Sequence, residues 1–303
     1  MVARHTPSSA AGALAVDLTV ELCGTTLTTP LMPAAGTFSK EMLGEASGVY
    51  GAILPKTVTP RPRTGNPPPR VAEAPSGMVN SIGLQNPGLE NFLESLGDYD
   101  VGLPLFVSVA ADTIGEFAAV CERLSSDGRV AAVELNLSCP NVEHGGLQFC
   151  AGPVAVTEVV GACRAVQPVK PLLVKLTNEG VVRNSLAAEE AGADALTLIN
   201  TVPALVVNAR ERKVFLCGGL SGPAIKPVAL RAVYEVSRVV GIPVVGVGGA
   251  ASGTDIAEFM LAGAAAVQIG AGSFVREPRL ALEEFAAYLR ENGLRARDLT
   301  GLL

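Results

Sequence analysis

Tryptophan is absent from the 303 residues, and aromatic side chains make up only 4% of them. That scarcity argues against a base-stacking platform and against aromatic girdles at a membrane. Basic residues number 23 against 29 acidic ones, and the resulting formal charge of −6 offers no broad positive face for nucleic acid or anionic lipid. Charged residues are 17% and hydrophobic residues 49%, which excludes the composition of a disordered chain. The six cysteines, Cys23, Cys121, Cys139, Cys150, Cys163 and Cys217, form no C-x-x-C pair. Neither a disulfide framework nor a zinc or iron–sulfur ligand set is legible, and a reducing cytoplasm fits best. Long apolar runs are missing too: residues 259–275 are interrupted by glycines and read as a helix end, a buried strand and a turn. The apolar patch at 10–16 is too short and weak for a signal peptide, so 1–16 read as a flexible tail on a single domain spanning 1–303.

Glycine (33) and proline (21) are plentiful, which predicts many tight turns between short elements. From about residue 100 onward, short β-branched runs alternate with helical patterns, the rhythm of parallel βα units. Strands are predicted at Leu105–Val109, Ala132–Leu137, Leu172–Leu176, Ala195–Ile199, Val244–Val247 and Ala265–Ile269. Helices are predicted at Ile114–Leu124, Pro153–Val166, Val182–Glu190, Pro223–Val240, Thr254–Leu261 and Arg279–Asn292. Two earlier runs, Leu31–Ala34 and Ala52–Pro55, raise the strand count to the eight that a closed (β/α)8 TIM barrel requires. A doubly wound open sheet shares the rhythm, and periodicity alone does not exclude it. The proline-punctuated segment 57–100 breaks the pattern and reads as a long insertion after strand two, a functional loop rather than a linker.

Active sites of such barrels lie at the carboxyl ends of the strands. There the sequence collects Lys56, then Asn136 leading into Ser138-Cys139-Pro140-Asn141, Lys175, and Asn200-Thr201. Glycine clusters follow the last two strands, at Gly246-Val247-Gly248-Gly249 and Gly270-Ala271-Gly272. They suit phosphate binding through bare backbone N–H groups, although each could be only a tight turn. Cys139 could be a nucleophile, a base or a packed residue. A hydrolase triad is poorly supported, because the two histidines are His5 in the tail and His144 on the same loop. A thiol with an ordinary pKa near 8.5 keeps a few per cent thiolate at neutral pH, enough for a proton acceptor. Four rim asparagines, Asn80, Asn136, Asn141 and Asn200, each offer a donor and an acceptor to a flat heterocycle such as a pyrimidine beside a flavin.

These motifs resemble the class 1 dihydroorotate dehydrogenases from about residue 18 to 275. The resemblance rests on Lys56-Thr57-Val58-Thr59-Pro60, Asn80 through Gly88, Glu134 through Asn141, Val174-Lys175-Leu176, Ile199-Asn200-Thr201, Gly218 through Pro223, and Gly248-Gly249. The continuation Val142-Glu143-His144-Gly145-Gly146 is more similar to the NAD-linked class 1B than to the fumarate-using class 1A. It implies an FMN-containing barrel that oxidises dihydroorotate to orotate in de novo pyrimidine biosynthesis. By matched position, Cys139 would take the C5 proton while the hydride passes to FMN, and Lys56 would lie between substrate and flavin. Asn80, Asn136, Asn141, Asn200 and Thr201 would hold the substrate, with Ser81, Ile82, Gly83 and Leu84 lining its pocket. Lys175 would support charge on the reduced flavin. Ala35, Gly36, Thr57, Ser108 and Ile199 would meet the cofactor, and Gly222, Gly248, Gly249, Gly270 and Ala271 would cradle its phosphate. The resemblance further implies a homodimer and a partner subunit carrying FAD and a [2Fe–2S] cluster that reduces NAD. Ala35 and Ser108 replace the family's usual Ser and Asn, and the stretches 177–180 and 201–217 are slightly short. Those departures keep two alternatives open: a different dihydropyrimidine substrate, or a flavin subunit serving mainly electron relay or assembly.

Overall fold

The computed structural model describes residues 16–137, 149–167 and 169–303. Strands β1 (Val20–Leu22) and β2 (Thr25–Leu27) form an antiparallel hairpin whose turn residues, Cys23 (φ 50°) and Gly24 (φ 76°), both take the left-handed conformation. That geometry is the two-residue turn whose twist matches its strands. Strand β3 (Leu31–Pro33) then opens the main sheet. The segment 57–100, read from sequence as a loop, carries β4 (Val71–Ala74), β5 (Gly77–Asn80) and helix α1 (Leu89–Glu94). The βα alternation follows: β6 (Leu105–Val109), α2 (Ile114–Ser125), β7 (Val130–Asn136), α3 (Pro153–Val166), β8 (Leu172–Leu176), α4 (Val181–Glu190) and β9 (Ala195–Leu198). A hairpin of β10 (Val202–Asn208) and β11 (Lys213–Ser221) interrupts it. The chain ends with α5 (Lys226–Ser237), β12 (Val244–Val247), α6 (Gly253–Leu261), β13 (Ala264–Ile269) and α7 (Pro278–Asn292).

Seven strands form one parallel sheet in the order β3-β13-β12-β9-β8-β7-β6. Residues 51–58 fill the gap between β6 and β3. On one side the Ile53 N–H donates to the Pro104 carbonyl (3.0 Å), and the Phe106 N–H donates back to Ile53 (2.9 Å). Val58 donates to Ser108 (2.8 Å), and on the other side the Gly51 N–H reaches Leu31 (2.8 Å). The eighth position, expected as a strand at Ala52–Pro55, therefore exists only as isolated parallel bridges at Ile53 and Val58. With it the sheet closes into a TIM barrel. The β6, β8, β9 and β12 strands are buried along their whole length, which is why they read as mainly apolar runs, interrupted only by Ser108, Lys175 and Thr197. Each fully buried Leu, Val or Phe contributes about 1.5–3 kcal/mol.

The helices start where the sequence supplies caps. The Thr113 hydroxyl accepts the Glu116 N–H (3.2 Å) at the start of α2, and Ser252 with Asp255 makes a capping box on α6. Pro153 and Pro278 open α3 and α7, and Gly293 (φ 65°) ends α7. The helix expected at Pro223–Val240 is instead a 3-10 turn, Pro223–Ile225, followed by α5, which stops at Ser237. No helix among the described residues is long and apolar enough to cross a membrane.

Two small sheets close the ends. The β1–β2 hairpin lies at the strand starts: Leu22 and Leu27 are fully buried, and the Cys23 thiol, pushed up to about 12 by burial, donates to the carbonyl of Asp194 just before β9. At the opposite end, β10-β11-β5-β4 form an antiparallel sheet with its own small core of Ala72, Val79 and Leu216. This sheet grows from the carboxyl end of β9 and roofs the barrel mouth.

Candidate active site

A cavity of about 510 Å³ lies between the barrel mouth and that roof. Its floor is made by side chains at the strand ends. Asn136 ends β7 in register with Lys175 on β8, and both are about 95% buried. The Asn200 amide donates to the Asn136 carbonyl oxygen (3.2 Å), while its own oxygen accepts the Thr201 N–H (2.8 Å). From the roof, Asn80 hangs from β5 and donates to the Gly219 carbonyl (3.3 Å). Gly219 must lack a side chain here, since a Cβ would collide with the Thr201 hydroxyl. The three amides therefore enter one space from three elements, each already oriented by a bond to a neighbour.

Ala35, Gly36, Lys56 and Thr57 line the wall beside β3 and residues 51–58, and Ile82 and Leu84 line it from the loop after β5. Lys56 is exposed to the cavity rather than buried in its strand. Ile199, Gly222, Gly248, Gly249, Gly270 and Ala271 line the cavity too. Three expected residues stand behind the wall instead. Ser108 is fully buried, with its hydroxyl 3.0 Å from that of Thr57, so it supports Thr57 and does not reach the cavity. Ser81 accepts from the Asn66 amide (2.9 Å), and Gly83 (φ 74°) packs against the same Asn66. Both shape the roof from outside. Cys139 and Asn141 lie outside the described residues.

Three turns meet at one end of the cavity. Gly222 (φ 89°), Gly248 (φ 127°) and Gly249 (φ 89°) all hold a conformation that side chains disfavour. A Cβ on Gly249 would stand 2.8 Å from the Gly222 carbonyl oxygen, and Gly272 packs still more tightly on the Ala250 carbonyl. The Gly249 N–H donates to no acceptor among the described residues. Bare, converging backbone donors of this kind suit a phosphate.

Two features went unread in the sequence. Arg70 lines the cavity, held by Asn66, by Gln85 (2.7 Å) and by the Thr64 carbonyl (3.2 Å); the only signal was the Asn66-Pro67-Pro68-Pro69-Arg70 run. Glu134 is fully buried in the barrel, two residues before Asn136, and its Oε2 accepts from Thr197 (2.9 Å) and Gln268 (2.9 Å). It thereby ties β7, β9 and β13 together beneath the site. Replacing Glu134 with alanine strands two buried donors and opens a void, so a loss of about 3 kcal/mol is expected. A urea midpoint lowered at constant slope would show it, with Glu134→Gln costing about 1 kcal/mol or less because a carbonyl acceptor remains.

The dihydroorotate dehydrogenase family model matches residues 17–284. The chain is 43% identical over 304 residues to the dihydroorotate dehydrogenase B (NAD(+)) catalytic subunit of Geobacter sulfurreducens, covering 95% of this chain and 98% of that one. The protein of the same name from Anoxybacillus flavithermus is 45% identical over 270 residues, covering 85% and 86%. In three dimensions the fold matches an Eimeria tenella dihydroorotate dehydrogenase crystallised with ferulenol, with a TM-score of 0.81 at 23% identity over 94% of this chain and 88% of that one. The convergence of asparagines, lysines and glycine turns on one barrel-mouth cavity accords with these likenesses: the chain belongs to the dihydroorotate dehydrogenase family.

Proposed function

We propose that this chain is the catalytic subunit of an NAD-linked dihydroorotate dehydrogenase, oxidising dihydroorotate to orotate with FMN in de novo pyrimidine biosynthesis. The observation that carries this reading is the meeting of Asn80, Asn136, Asn200, Thr201, Lys56 and Lys175 in one cavity whose far end is a glycine cradle. The cradle fits the phosphate of FMN, because Gly222 and Gly249 approach too closely to admit side chains and the Gly249 N–H has no acceptor among the described residues. Bound FMN supplies the hydride acceptor.

The chain's own residues do the rest. The asparagine amides pair with the alternating carbonyl and N–H groups of the dihydropyrimidine ring and fix its orientation, which lowers the entropic cost of the reaction. Lys56 and Lys175 bring positive charge to the cavity in which the substrate and flavin would react. Cys139 removes the C5 proton. The β10–β11 and β4–β5 hairpins shield the site from water. Electrons then leave to a partner subunit with FAD and a [2Fe–2S] cluster, and two catalytic subunits associate; the name of the relatives, a catalytic subunit, supports a partner.

Anaerobic mixing of the flavin-loaded protein with dihydroorotate tests the reading. Rapid loss of the flavin's visible absorbance is expected. A protein that stays yellow with dihydroorotate and bleaches with dihydrouracil would overturn the substrate assignment.

A further inference from the structure

The glycine cradle is braced from behind by an ion cluster that touches no part of the cavity. Lys226 is the first residue of α5, and a Cβ on Gly249 would stand 2.8 Å from both its backbone N and its Cβ. Gly249 thus packs directly on the start of α5. The Lys226 ammonium reaches across to α6, donating to Asp255 Oδ1 (2.5 Å) and Glu258 Oε2 (2.7 Å). Asp255 uses its other oxygen to accept the backbone N–H groups of Ala251 (2.9 Å) and Ser252 (2.8 Å), the residues just beyond the cradle. The third turn joins the same loop, because Gly272 packs on Ala250 and Ala251. One carboxylate therefore ties the backbone that leaves the cradle to the helix that supports its floor.

The charges are consistent with a permanent brace. Burial pushes the Asp255 carboxyl up, but the hydrogen bonds from Lys226, Ala251 and Ser252 outweigh it and hold the group below its ordinary range. Burial pushes Lys226 down, and its two carboxylate partners more than reverse that. A lysine is needed for a second reason: without it, two carboxylates would stand uncompensated behind a site built for an anion, and like charges repel.

We propose that Lys226 is a positioning residue for the cofactor phosphate, fixing the 248–252 backbone through Asp255 without touching the phosphate. The proposal rests on FMN occupying the cradle. Its test compares FMN with riboflavin, which has the same ring and ribityl chain but no phosphate, on the flavin-free full-length chain by fluorescence titration. Lys226→Met is expected to weaken FMN binding by about tenfold or more, the scale at which partners that orient direct ligands act, and riboflavin binding by less than about twofold. Glu258→Gln keeps the Lys226–Asp255 bond and is expected to change either affinity by less than about threefold. Equal weakening of both flavins by Lys226→Met, or of neither, would overturn the proposal. Should that variant fail to fold, Asp255→Asn decides with the same two readings. A wild-type chain that binds riboflavin as tightly as FMN would overturn the phosphate assignment itself, and with it this role for Lys226.

Discussion

Replacing Cys139 with alanine is expected to leave the protein yellow and folded while slowing flavin reduction by dihydroorotate about 10²- to 10⁴-fold, the usual contribution of a positioned general base. Cys139 follows Asn136 by three residues, on the stretch that leaves a strand ending in the cavity floor. Its thiolate is the reactive form, and at neutral pH only a few per cent of an ordinary thiol is ionised. The reduction rate should therefore rise with pH through the thiol range. Cys139→Ser keeps the size and loses the acidity, so it should stay within about tenfold of the alanine variant. Flavin affinity should not change in either, since the cradle is built from Gly222, Gly248 and Gly249 on the turns that follow β11 and β12. Stopped-flow reduction under anaerobic conditions reads all of this. Wild-type rates in the alanine variant would remove Cys139 from the mechanism.

The barrel was legible because parallel strands are buried on both faces, so β6, β8, β9 and β12 stand out as apolar runs whatever their partners. The strand-end rule points to Lys56, Asn136, Lys175, Asn200 and the glycine turns; the four side chains line the cavity, as do Gly248, Gly249, Gly270 and Ala271 of the turns. What escaped was whatever depends on distant pairing. The roof sheet exists because β11 pairs with β5, joining Gly219 to Asn80, and no local period encodes that. Its β10 strand alternates half-buried and exposed residues from Val202 to Asn208, a weaker signal than a core strand gives. Strand two failed as a strand for a related reason: residues 51–58 pair at Ile53 and Val58 and bend between them. Glu134 and Lys226 have the same character. Each is one polar residue in an apolar context, and its meaning appears only when Thr197, Gln268 or Asp255 arrives from elsewhere in the chain. Ser108 shows the converse, a position matched by motif that folding sets behind Thr57.

Lys175→Met is the second variant with a large expected effect. Lys175 sits in the run Leu-Leu-Val-Lys-Leu of β8, about 5% exposed, where its stem is packed among barrel residues and its head reaches the cavity. Methionine keeps most of that apolar stem and removes the charge, so the barrel should still fold. Hydride transfer places negative charge on the flavin, and a fixed cation in a low-dielectric site stabilises charge that develops in the reaction far more than water-exposed lysines do. Losing one such group costs about 10²- to 10³-fold in rate, roughly 2.7–4 kcal/mol. The same interaction persists in the reduced state, so the two-electron midpoint potential of the bound flavin should fall by about 60–90 mV, at 30 mV per 1.4 kcal/mol. The two readouts separate two roles. A slower reaction at unchanged potential would mean that Lys175 acts on the substrate and not on the flavin. A lowered potential with an unchanged rate would mean that its charge is felt only after the hydride has moved. Unchanged values of both would exclude the lysine from the chemistry and leave it a structural element of β8.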